Sequence, residues 1–125
     1  MNDQLTNTKP GIKVKGDSRK RAVWLSYDLG LRGDYAGLYT WLDTLHAREC
    51  GDATAFFEVE PQKNLEEWLR QELNQHVKLA PKDRVYAIFH EGLKMRGKFL
   101  NGGRRRVPWE GYAQQEVAED TEDAG

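Results

Sequence analysis

Cysteine is all but missing from this chain of 125 residues, where Cys50 stands alone. A single thiol cannot close an internal disulfide. That excludes the disulfide-stapled frameworks of small secreted proteins and points to a reducing compartment. Long apolar runs are missing too. No stretch approaches the ~20 apolar residues of a bilayer-spanning helix, and the opening residues MNDQLTNTKP hold no apolar signal core. The expectation is a cytoplasmic protein with no membrane partner. Histidine is scarce: His46, His76 and His90 have no metal-ligand spacing to one another or to Cys50. Gly102-Gly103 lacks the strand, helix and Lys-Ser/Thr ending of a phosphate loop. Cys50 sits beside a turn without an evident base, so a Cys-His or Ser-His-Asp nucleophilic site is unsupported. A small-molecule enzyme with a recognisable cofactor signature is therefore disfavoured.

What is present is divided charge. The formal net charge of −1 includes Glu116, Glu119, Asp120, Glu122 and Asp123 near the C-terminus, without which the chain stands at about +4. Lys94, Arg96, Lys98, Arg104, Arg105 and Arg106 follow one another with no acid between Gly92 and Trp109. The first 21 residues are also mostly basic where charged. Such a distribution suits a polyanion-facing surface for which an acidic tail competes.

Periodicity places the elements. Residues 22–29 are a short run of strand formers, with Val23, Leu25, Tyr27 and Leu29 on one face and Trp24, Ser26 and Asp28 on the other. Asp34 caps a helix whose stripe is Tyr35, Leu38, Trp41, Leu42 and Leu45, ending near His46 or Ala47. Gly51-Asp52 turns a hairpin whose longer arm covers 54–60. Asn64 with Glu67 opens a second helix, whose apolar side carries Leu65, Trp68, Leu69, Leu73, His76 and Val77. Residues 84–90 form another strand, and 95–100 read as a further one.

This order predicts an α+β fold: a ferredoxin-like βαββαβ sandwich with two helices on one face of a mostly antiparallel sheet, plus an extra C-terminal strand. The domain spans 22–113, a core of roughly 90 residues, between a flexible basic arm (1–21) and a disordered acidic tail (114–125). One-sided helices leave the other sheet face bare. A homodimer with its sheets face to face would cover it.

Three segments resemble one family. Val23-Trp24-Leu25-Ser26-Tyr27-Asp28 is similar to the first strand of the small CRISPR-associated ferredoxin-fold subunit of the spacer-integration complex, and of its VapD-like and SinR-like relatives. Residues 48–58, ending Ala55-Phe56-Phe57-Glu58, look like the family's second and third strands, and Lys82-Asp83-Arg84-Val85-Tyr86-Ala87-Ile88 like its fourth. The resemblance covers about residues 22–90; the loop 30–34 departs from it and 95–112 has no counterpart. It implies a homodimer in which Asp28 lies near the two-fold axis and takes part in metal-dependent phosphodiester cleavage.

Asp28 is accordingly the candidate catalytic and metal-binding residue, with paired copies holding Mg²⁺ or Mn²⁺ through oxygen ligands. Its other reading is a carboxylate that caps the following loop. Lys94, Arg96, Lys98, Arg104, Arg105, Arg106, Trp109 and Tyr112 form the candidate nucleic-acid or partner-binding set, because guanidinium groups pair with phosphate and flat rings stack unpaired bases. Within that set Trp109 reads first as an anchor onto its own or a partner subunit. His90 is the best general-base candidate among the histidines. Two functions follow as expectations. One is a nucleic-acid-associated homodimer acting on RNA or DNA as a metal-dependent endoribonuclease or nuclease. The other is a non-catalytic module binding a protein partner in a toxin–antitoxin, phage or defence system.

Overall fold

The structure, a computed structural model, describes residues 20–114. The flexible arm and acidic tail expected from the sequence lie outside that range except for their inner ends. Strand β1 (Arg21–Asp28) shows the expected alternation: Val23 and Leu25 are fully buried, whereas Trp24, Ser26 and Asp28 face outward. Helix α1 (Tyr35–Thr44) starts at Asp34, whose Oδ1 accepts the Gly37 N–H at 3.0 Å. It stops at Thr44, two residues short of His46, because His46 takes a left-handed φ of 55°.

The chain then runs through β2 (Arg48–Glu49) and β3 (Thr54–Val59), joined by a turn at Gly51 with φ of 118°. Helix α2 (Leu65–His76) is capped by Asn64, whose Oδ1 accepts the Glu67 N–H at 3.1 Å. Strands β4 (Arg84–Glu91) and β5 (Lys94–Asn101) close the fold as a hairpin through Gly92 and Leu93. The sheet order is β2-β3-β1-β4-β5, and every neighbouring pair is antiparallel. The chain is thus α+β with a five-stranded antiparallel sheet, compatible with a ferredoxin-like arrangement.

One core joins the inward residues of the strands to the helices. Val23, Leu25, Phe57, Val85 and Phe89 pack with Leu38 and Trp41 of α1 and Leu65, Leu69 and Leu73 of α2. Each such side chain contributes roughly 1.5–3 kcal/mol by leaving water. The buried Trp41 donates its Nε1–H to Glu72 Oε1 at 3.1 Å, tying α1 to α2. Arg70 of α2 reaches the sheet edge, donating to the carbonyls of Phe99 (2.9 Å) and Leu100 (3.1 Å). There the β4–β5 register shifts: Val85 pairs with Asn101 and Tyr86 with Phe99, leaving Leu100 as the extra residue.

Helices α1 and α2 lie over this buried face, and a further helical segment begins at Tyr112. Neither α1 nor α2 covers the other face, and Trp24 and Ile88 each keep 37 % of their surface exposed there. The sheet edges are blunted, β2 by its length of two residues and β5 by Lys94, Arg96 and Lys98.

Candidate functional site

Alternation on the central strands assembles the bare face. Trp24 of β1 is the register partner of Phe56 on one side and of Ile88 on the other. The Trp24 and Phe56 rings lie 5.0 Å apart with a 48° tilt. Two residues further along the strands, Ser26 pairs with Tyr86, and Tyr86 pairs with Phe99. Tyr86 and Phe99 meet edge to face at 4.8 Å. The face therefore carries two aromatic clusters, offset by about 7 Å of strand rise.

A glycine makes the second cluster possible. A Cβ at Gly97 would collide with the Tyr86 hydroxyl, so the bare backbone of β5 is what lets the phenol lie across the strand.

Basic groups converge on the same end. After Asn101 the chain turns through Gly102, whose φ is 74° and whose missing Cβ leaves room for the Asp83 carbonyl. That turn brings the following residues back over the sheet. The Arg104 guanidinium lies 6.0 Å from the Tyr86 ring centre and 5.8 Å from that of Phe99. Arg105 Nη2 and Arg84 Nη2 each stand 3.3 Å from Asp28 Oδ2. Arg84 Nε is buried and has no hydrogen-bond partner among the described residues, a donor left free to gain from an acceptor. Ser26, Tyr27, Asp28, Arg84, Tyr86, Phe99 and Arg104 line a groove of about 260 Å³. Burial, then the neighbouring Tyr39 and Tyr35, holds the Tyr27 phenol above its ordinary value, so it is neutral at pH 7.

The residues singled out from sequence are only partly brought together. Arg104 joins the groove, and Arg105 reaches its rim through Asp28, which sits between Arg105 and Arg84. Lys94, Arg96 and Lys98 do not join it. They pair with Glu91, Phe89 and Ala87, positions off the bare face. Arg96 bonds Glu91 at 3.0 Å, and Lys98 reaches Glu66 of α2 at 4.0 Å. Arg106 points away and pairs with Glu110 at 3.3 Å. Trp109 is 69 % exposed, so it does not anchor the segment to its own fold, and Tyr112 is exposed beside it. His90, next to the last residue of β4, is exposed, its carbonyl accepting from Arg21. His76, expected on the packed side of α2, is exposed and stacks on Trp41.

The donor set around Asp28 does not suit Mg²⁺ or Mn²⁺ within one copy of the chain. Its close partners are two guanidinium groups rather than further oxygen ligands, and no cluster of three His, Cys, Asp or Glu side chains occurs among the described residues. Sequence reasoning passed over Phe56, Arg84, Tyr86 and Phe99. The signal available was alternation, which sets Arg84, Tyr86 and Ile88 on the same face as Trp24 once the register is known.

No family model, curated protein or solved structure matches this chain. Among the described residues no helix is long and apolar enough to cross a membrane. Function therefore has to be read from the chain's own side chains.

Proposed function

We propose that this protein binds single-stranded nucleic acid across the face of its sheet opposite α1 and α2, as a binding module on a ferredoxin-like βαββαβ core with β5 added at the edge. The observation that carries this is the union, on one bare face, of two aromatic clusters and three guanidinium groups. Trp24 with Phe56 and Tyr86 with Phe99 offer flat apolar surface for unpaired bases. Arg84, Arg104 and Arg105 supply charge for the phosphates beside them. The ~7 Å offset of the clusters exceeds the ~3.4 Å rise of stacked DNA. Bases using both must be splayed apart, which a single strand permits and a duplex does not.

A second copy of the chain is the other occupant to consider, since the expected homodimer would use this same face. Charge favours the polyanion. Arg48, Arg84, Arg104 and Arg105 surround the aromatic clusters against Asp28 and Glu58, and two like faces would oppose their arginines. Metal-dependent cleavage does not enter this reading, because Asp28 is held by Arg84 and Arg105.

Fluorescence anisotropy with labelled RNA and DNA strands of about 12 nucleotides, and with the matching duplexes, tests the proposal. Single strands are expected to bind more tightly than duplexes, with affinity falling as salt rises. Absence of single-strand binding at low salt, or undiminished binding by a Trp24→Ala/Tyr86→Ala variant, overturns it.

A further inference from the structure

We infer, resting on the single-strand reading above, that the groove at the Asp28 end of the face is a guanine-selective subsite. Asp28 lines this groove, and its oxygens, acceptors only, can make no hydrogen bond to a phosphate, itself an acceptor. Its position is explained if it faces a base instead. Tyr86 and Phe99 form the apolar floor, and the Arg104 guanidinium lies over both rings, so a planar group entering here meets π and cationic surface together. At about 260 Å³ the groove is smaller than drug-sized ligand sites, which suits one base.

The polar wall then specifies which base. Asp28 presents acceptor oxygens directly beside the donors of Arg84 and Arg105, each 3.3 Å from Oδ2. Among the described residues neither arginine bonds to Oδ1. Guanine has two adjacent N–H donors, N1–H and the exocyclic amino group, next to the O6 acceptor. A carboxylate accepts both donors at once while a neighbouring guanidinium donates to O6. Adenine and cytosine offer one amino group beside an acceptor, and uracil a single N–H between two carbonyls. None of these engages both carboxylate oxygens.

The test is anisotropy with labelled uridine strands of about eight nucleotides, all-uridine or with one central guanosine, adenosine or cytidine. Wild type is expected to bind the guanosine strand about tenfold more tightly than the others. Asp28→Asn, which keeps the shape but offers one acceptor and a clashing donor, should erase that preference, so that the guanosine strand binds no more tightly than the other three. Asp28→Ala should erase it in the same way, and thermal melting of both variants reports that the fold persists. Equal binding of all four strands by wild type, or a preference that survives in Asp28→Asn, overturns guanine selection alone. No binding of any strand removes the single-strand reading together with it.

Discussion

Asp28 and Arg84 are register partners on the two central strands, and their side chains meet on the bare face with Nη2 3.3 Å from Oδ2. The pair is partly exposed, and such ion pairs contribute only about 0–1 kcal/mol to stability. Its use lies in holding a guanidinium at the head of the groove. Arg84→Gln is expected to leave the melting temperature nearly unchanged. The slope of log affinity against log salt should become shallower by about one, as expected for one lost phosphate contact.

The basic residues of the C-terminal third should divide in two by function. Arg104→Ala with Arg105→Ala removes charge from the groove and its rim and is expected to weaken single-strand binding by about tenfold or more at low salt. Arg96→Ala with Lys98→Ala removes groups engaged with Glu91 and Glu66 and should change affinity by less than about twofold. Anisotropy titrations of the two double variants, run side by side, check this. Equal losses would contradict it.

Gly97 and Tyr86 should behave as one unit. The added Cβ of Gly97→Ala collides with the Tyr86 hydroxyl and tips the ring off the strand. The variant should lose affinity in the manner of Tyr86→Ala, and the double variant should lose little more than either alone. Additive losses in that cycle would show that Gly97 acts elsewhere.

Much of this was legible in the sequence. The alternation around Trp24, the Asp34 and Asn64 caps and the Gly51 turn each follow from local chemistry, and each occurs in the fold. The bare face was readable for β1, because its outward set is fixed by the pleat. What was not legible depends on register. That Asp28 meets Arg84, or that Tyr86 meets Phe99, follows from pairings between distant segments that no local pattern specifies. The run from Lys94 to Arg106 looks continuous as sequence. Strand alternation, the extra residue Leu100 and the turn at Gly102 split it between two surfaces. A charge count along the chain cannot see that division.

Asp34 makes stability depend on acid. Its Oδ2 accepts the Lys78 N–H at 2.9 Å and its Oδ1 the Gly37 N–H at 3.0 Å, tying the start of α1 to the chain after α2. These backbone hydrogen bonds, Lys78 first, hold the carboxyl below its ordinary value of 3.8. A depressed value means the stabilisation is full above the unfolded-state value and is lost as pH falls through the lower folded one. Asp34→Ala should melt below wild type at neutral pH, with the gap narrowing as pH falls below the ordinary value of 3.8. Thermal melts across that range check it. A constant gap would contradict it.

The chain's four tryptophans provide the most direct test of the sheet-face claim. Trp24 lies on the bare face, whereas Trp41 of α1 is buried in the core. In a two-dimensional NMR titration with a short single-stranded RNA, the Trp24 indole N–H and the amides of Phe56, Tyr86 and Phe99 should shift together and saturate. The Trp41 indole should hold its position. Shifts confined to the helix side, or a Trp24 signal that never moves while the strand binds, would contradict the account.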